Sequence, residues 1–362
     1  MDIGDHQYRQ SPLQGFQYNR TMQPPAAGEF GLIESLRSQI ELHQPPPAVP
    51  GAPHSLLLGI GDDCAVWRCG DTTQLATTDT MVEGVHFRRE TTSWRDLGWK
   101  ALAVNLSDIA AMGGVPDYAL VTLGVPPGTN REGLMELYEG LQDCALAYRV
   151  VLAGGDVVAA GQLFITVALM GRAGNASLFP NNVLLRSAAA PGDTVAVTGL
   201  VGASAAGLRL LQRDPTDLGL TALLDAHRRP QPRLVLGRLA LSAGVRCGMD
   251  VSDGLVGDLQ KICAASGLAA EVRLSDIPVP AMVREAFPEG WAELGLAGGE
   301  DYELLLVAPG EVLAAVAERS DVPLTTIGVI GAGLPGRVMV RDASGNTLDL
   351  ERMGWDHLDG GA

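Results

Sequence analysis

A chain of 362 residues with 46% hydrophobic content has enough apolar material for two domains. Its net charge of −16 argues against nucleic acid as a partner, and its two lysines, Lys100 and Lys261, rule out a P-loop, which requires lysine directly after glycine. No apolar run reaches the roughly 18 residues of a membrane span, and no apolar stretch marks a secretory leader. Five scattered cysteines without a Cys-x-x-Cys pair fit a reducing cytoplasm.

Residues 1–27 are rich in Gln, Pro, Tyr and Arg without periodicity, and are expected to be a disordered extension or a misassigned start. Phe30, Leu32, Ile33, Leu36 and Ile40 recur at helical spacing, so a helix over about 29–42 is expected, ended by Pro45-Pro46-Pro47. Short strands are expected at Leu56–Leu58, Ala65–Arg68 and Gln74–Thr77, then a long Ala-rich helix at Trp94–Met112 stopped by Gly113-Gly114. A strand at Tyr118–Val125, a helix at Glu132–Ala147 and strands at Val150–Ala153 and Phe164–Met170 follow. Gly, Asn, Ser and Pro concentrate over 171–191, so a first domain is expected over 28–172 and a second over 173–362. In the second, strands are expected at Thr194–Thr198, Val245–Met249, Leu304–Ala308, Thr325–Ile330 and Val338–Val340. Helices are expected after Gly202, at about 218–227 and 232–243, and at Leu255–Ala265 and Gly310–Arg319. This alternation of strands and helices predicts an α/β or α+β layered fold.

Acids recur at the ends of the apolar runs. Gly59-Ile60-Gly61-Asp62-Asp63 follows a strand, and its adjacent carboxylates repel unless a cation binds them; an ordinary surface turn is the competing reading. Asp79, Asp156, Asp250 and Asp253 stand in similar glycine- or strand-flanked positions. Asp108 interrupts the apolar face of the Ala-rich helix, either as a satisfied core group or as part of a site. Asp253 has a helix N-cap as its alternative role. Small residues over 199–207 allow either an anion at a helix start or close packing, with packing favoured. Leu296-Ala-Gly-Gly299-Glu300 echoes Leu152-Ala-Gly-Gly155-Asp156, a weak sign of a repeat. If these carboxylates converge, they need divalent cations, and Mg2+ bridging carboxylates to phosphates suits them. That combination leads to phosphoryl transfer.

The ordered set Gly59–Asp63, Thr78-Asp79-Thr80, Asn105–Gly113, Gly154-Gly155-Asp156, Asp250–Gly254 and Gly298–Glu303 resembles the thiamine-monophosphate kinase family. That family lies within the aminoimidazole-ribonucleotide-synthetase-like ATP-binding superfamily. The resemblance covers about 28–357. It implies a two-domain fold whose N-terminal sheet pairs with its twin in a homodimer, and the ATP-dependent conversion of thiamine monophosphate to thiamine diphosphate, the last step in making that cofactor. It implies Mg2+ ligands at Asp63, Thr77, Thr78, Asp79, Asp108, Asp156, Asp250 and Asp253, with Asp63, Asp108, Asp156 and Asp250 central to catalysis. Nucleotide contacts are implied at Gly155, Asp156, Arg186 and Ser252, and thiamine-phosphate contacts at His86, Glu300 and Trp355. His86 and Trp355 also have structural readings, as a satisfied histidine and a core aromatic. Members of the family often carry Tyr where this chain has Trp355, which would keep an aromatic face and lose a hydroxyl contact. The extension before residue 28 falls outside the family pattern.

Two relatives of the superfamily fit less well. A selenophosphate synthetase would carry a reactive cysteine ahead of the glycine-acid region, and none precedes Cys64; the hydrogenase-maturation relative would end in cysteine, and this chain ends in Ala362. An aminoimidazole ribonucleotide synthetase-like enzyme, a metal-dependent phosphohydrolase and a non-catalytic nucleotide-binding protein are the alternative readings.

Overall fold

The computed structural model describes residues 28–43, 54–175, 177–214, 219–348 and 354. The chain divides into one unit of residues 1–44 with 356–362 and a second of residues 45–355. In the first, α1 (Glu29–His43) forms as its spacing predicts. The expected extension, residues 1–27, lies outside the described residues.

The larger unit holds two six-stranded sheets. The first is built from β1 (His54–Leu58), β2 (Ala65–Cys69), β3 (Thr72–Val82), β4 (Val115–Val125), β5 (Val151–Ala159) and β6 (Phe164–Arg172). Their order is β1-β2-β3-β6-β4-β5, antiparallel except for the parallel β4–β5 pair. Between the strands run α2 (Trp94–Ala111) and α3 (Arg131–Tyr148). Their close crossing explains two glycines: a Cβ on Gly98 would lie 1.9 Å from the Leu137 carbonyl oxygen, and one on Gly140 1.8 Å from that of Arg95. Ser93 caps α2 by accepting the Asp96 N–H at 3.1 Å.

The second sheet uses β7 (Thr194–Thr198), β8 (Cys247–Asp250), β9 (Ala269–Arg273), β10 (Leu304–Ala308), β11 (Leu324–Gly331) and β12 (Val338–Arg341), in the order β12-β9-β11-β7-β10-β8. Its helices are α4 (Ala203–Arg213), α5 (Thr221–Arg228), α6 (Leu234–Ala243), α7 (Leu255–Ser266), α8 (Ala281–Ala286), α9 (Trp291–Ala297) and α10 (Gly310–Ala317). The expected boundary at 172–173 falls between the strands of the two sheets. One buried cluster joins Leu75, Val121, Val167 and Ile165 of the first sheet to Leu106 and Ile109 of α2 and to Leu304 and Leu306 of β10. α2 is therefore the seam of the larger unit, buried on nearly every side because both sheets pack against it.

Two expectations change. β3 runs on to Val82, so Thr77, Thr78 and Asp79 lie inside a strand. β5 runs through Gly154, Gly155 and Asp156, so Asp156 is not at a strand-end turn. Pairing extends both strands, because β3 has β2 and β6 on its two sides and β5 lies along β4. The strand β9 and the helices α8 and α9 carry no strong periodic signal; β9 exists because β11 and β12 flank it.

Candidate active site

The carboxylates of Asp63, Asp108 and Asp250 each offer an oxygen within 4.8 Å of the others. They come from three places: the turn after β1, the last part of α2 and the C-terminal end of β8. The sequence around Asp108 builds the group residue by residue. Asn105 accepts the Asp79 N–H at 3.1 Å and donates to the Ala101 carbonyl at 3.1 Å. Ser107 donates to Asp250 at 2.6 Å, and Thr77 donates to Asp108. One turn of helix thus ties β3 and β8 to the cluster.

Burial drives the Asp108 carboxyl well above its ordinary range, and Asp79, Asp250 and Asp63 add like-charge repulsion. Burial does the same to Asp250, with Asp63 the next cause. Arg186 partly compensates: its guanidinium pairs with Asp63, and its backbone N–H donates to Asp62 at 3.1 Å. Burial pushes the Asp62 carboxyl up, with repulsion from Asp63 behind it, to about 7. Burial alone would lower the Arg186 guanidinium, but Asp63 and Asp62 more than offset it. The second oxygen of Asp63 is buried with no hydrogen-bond partner. An orphaned carboxylate oxygen beside two more carboxylates is the donor set of a hard cation, so these residues fit Mg2+.

The other implied ligands are placed differently. Asp79 stands beside the cluster, close enough to raise Asp108. Asp156 is exposed on β5, an outermost strand of the first sheet. It shares a row with Thr122, Thr166 and Thr80, one residue along from the row of Asp79, Val167, Val121 and Gly155. Alternation along the strands then directs Asp156, like exposed Thr78, to the sheet face opposite Asp79. Gly155 is required where it stands, since a Cβ there would lie 1.8 Å from the Val121 carbonyl oxygen. Asp253 pairs with Lys261 at 2.6 Å. The N-cap reading of Asp253 is corrected: Gly254 occupies the cap of α7, and the loop is held from inside the helix by Asp258. One Asp258 oxygen accepts the N–H groups of Ser252, Asp253 and Gly254 at 2.9, 3.0 and 3.1 Å, and the other meets Lys261 at 2.6 Å. The implied nucleotide contact Ser252 belongs to this loop.

Glu300 sits in a second polar group. Lys100 Nζ lies 2.8 Å from one Glu300 oxygen, and His227 Nδ1 3.3 Å from the other. Burial would raise the Glu300 carboxyl, yet Lys100, His227 and His86 together hold it below its ordinary range. His86 accepts the Val82 N–H at 3.0 Å. The small-residue helix start is explained by both packing and an internal anion. A Cβ on Gly207 would lie 2.0 Å from the Leu223 carbonyl oxygen, while Asp301 accepts the Gly202 and Ser204 N–H groups at 2.6 and 3.1 Å. Gly298-Gly299 lies in a loop, unlike Gly154-Gly155 in β5, so the short echo does not mark equivalent positions. Trp355 lies outside the described residues.

His227 carries a pH prediction. Burial, Lys100 and Arg228 outweigh Glu300 and lower its imidazole to about 3. The unfolded chain therefore binds a proton below about 6.5 that the folded chain refuses, and stability falls with pH from there toward 3. His227→Gln is expected to flatten this slope by on the order of 1 kcal/mol per pH unit, read by urea unfolding at pH 5 and 7. Equal slopes in the two proteins would contradict it.

The two sheet-and-helix layers that bring these carboxylates together are those of an AIR synthase related protein. Family models for the AIR synthase related N-terminal and C-terminal domains match residues 61–173 and 190–341. A thiamine-monophosphate kinase of Bacillus subtilis is 36% identical over 91% of this chain and 99% of its own length. One from Escherichia coli is 37% identical, covering 92% of this chain and 99% of its own. A solved structure of AaThiL complexed with AMPPCP and TMP superposes with a TM-score of 0.78 at 30% identity, over 93% of this chain and 99% of that one. The chain belongs to the thiamine-monophosphate kinase family.

Proposed function

We propose that this chain transfers a phosphoryl group from ATP to thiamine monophosphate, giving ADP and thiamine diphosphate. The observation that carries the reading is the convergence of Asp63, Asp108 and Asp250 in a chain of this family. Mg2+ held by these three would screen and align the two phosphate groups. Thr77 and Asp79 support that group from β3. Gly155, Asp156, Arg186 and Ser252 are assigned to the nucleotide, and His86, Glu300 and Trp355 to the acceptor. Thr78, Asp156 and Asp253 stay in the proposed metal set on the resemblance alone. The acceptor phosphate has a second pKa of about 6 by analogy with phosphoserine, so it is already anionic at neutral pH and needs no strong general base. Transfer is then direct and in line, with inversion at phosphorus that a chiral thiophosphate substrate reads. ATP and Mg2+ are supplied with and without thiamine monophosphate, and ADP and thiamine diphosphate are followed. Phosphate release without acceptor would point to a hydrolase, and ATP retained without turnover to a binding protein.

The same reading includes a homodimer. β5 leaves one edge unpaired among the described residues, and Tyr118, Leu120, Val151 and Val157 are exposed on β4 and β5. An exposed strand edge with apolar side chains is a template for a second copy. Val157→Lys is expected to convert a dimer to a monomer in light scattering; a wild-type monomer would remove the pairing. No described helix is long and apolar enough to cross a membrane, and all five cysteines are free, which supports a cytoplasmic setting.

A further inference from the structure

The chain has two lysines, and both are built into the polar groups around the carboxylate cluster. Lys261 braces the Asp253 loop. Lys100 meets a different loop, the one before β10. It projects from α2 with its side chain 2% exposed, and its ammonium lies against Glu300. A buried ammonium is costly to keep unless an opposite charge meets it, and here that charge is Glu300.

Glu300 is fixed by its backbone as well. It is a non-glycine residue at φ +67, followed by Tyr302 at φ +51, a conformation that side chains rarely adopt. Its N–H donates to the Ser252 carbonyl at 2.7 Å, and the Tyr302 N–H to that of Val251 at 2.9 Å. The loop is thereby tied to the segment that follows Asp250. On the side-chain end, His227 Nδ1 lies 3.3 Å from one Glu300 oxygen and 3.2 Å from Ser204 Oγ. Three elements, α2, α5 and the loop before β10, thus define where the Glu300 oxygens point.

We propose that Lys100 is a positioning residue for the acceptor: from α2 it holds the Glu300 carboxylate, backed by His227, toward the aminopyrimidine and thiazolium end of thiamine monophosphate. An ionised carboxylate repels the acceptor's phosphate, so it suits only the end that carries N–H donors and positive charge. This rests on the assignment of Glu300 to the acceptor made above.

Steady-state kinetics of the full chain test it. Lys100→Met is expected to raise KM for thiamine monophosphate at least about tenfold, with KM for ATP and kcat each within about threefold. Lys100→Arg should recover part of the loss. In Lys100→Met the groups still facing Glu300 are His227 from α5, His86 from the segment after β3, and Asp301 and Tyr302 from its own loop. Without the Lys100 ammonium, burial opposes the Glu300 charge more strongly, so acceptor KM climbs as pH falls by more than in the wild type, where protonation of the acceptor phosphate is the change that remains. A residue that only stabilised the fold would affect both substrates alike and add no pH dependence. Glu300→Gln and the Glu300→Gln/Lys100→Met pair complete the cycle and cover the case in which Lys100→Met fails to fold, since both sites are then uncharged. Equal acceptor KM in these two variants supports action through Glu300. A further rise in the pair, or an equal rise in the KM for ATP, overturns the proposal. An inactive wild type would instead overturn the kinase reading.

Discussion

Asp108→Asn is expected to leave a folded protein that no longer makes thiamine diphosphate. Asp108 is one of three carboxylates within 4.8 Å, and its charge is opposed by burial and by Asp79, Asp250 and Asp63. The amide keeps the shape and can still meet the Thr77 hydroxyl, but it offers a cation no charge. Loss of several kcal/mol of charge stabilisation predicts a drop in kcat of about a thousandfold or more. The same change removes one source of repulsion, so the metal-free protein should gain on the order of 1 kcal/mol, about the worth of one pKa unit. Activity and stability moving in opposite directions is the signature of a residue placed for function. An Asp108→Asn variant with near-normal turnover would take Asp108 out of the metal set.

Asp258→Ala should do the reverse, damaging the fold first. One Asp258 oxygen holds three successive backbone N–H groups, and the other holds the Lys261 ammonium. Asp258 is fully buried. Truncation leaves the three backbone donors without this acceptor and removes the carboxylate that lies 2.6 Å from the Lys261 ammonium. Removing one partner of a buried, hydrogen-bonded charge pair costs about 3–5 kcal/mol. Urea unfolding at pH 7 measures it, and Asp258→Asn should fall between alanine and wild type because it keeps one acceptor oxygen. A loss below about 1 kcal/mol would show that the loop has other supports.

Much of the fold was legible because it is local. The apolar spacing of α1, α2 and α3, the proline and glycine stops, and the strand runs before Asp250 and at Leu304–Ala308 all depend on residues a few positions apart. The same holds for the Asn105–Asp108 motif, whose neighbours on one helical turn reach Asp79, Asp250 and Thr77. β9, α8 and α9 were not legible. Ala269-Ala270-Glu271-Val272-Arg273 is too weakly patterned to announce a strand, and only its neighbours β11 and β12 make it one. Asp258 carried a faint signal, an acid in the first turn of an expected helix with Lys261 three residues on. Lys100 and His227 carried none beyond the scarcity of lysine.

By itself the sequence determined the chemistry available here: no P-loop, few basic side chains, and an ordered series of glycine-flanked acids suited to a cation. It also determined the α/β layering, through apolar periods that no solvent-exposed arrangement would satisfy. Only the tertiary structure decided which acids meet. Residues 63, 108 and 250 are far apart in the chain, and they converge because α2 is clamped between two sheets, while Asp156 stays on an outer strand and Asp253 is taken by Lys261. Periodicity reports contacts within a turn or a hairpin. The order in which strands assemble around a buried helix is set by long-range packing, and that order put three carboxylates in one place with Asp79 beside them.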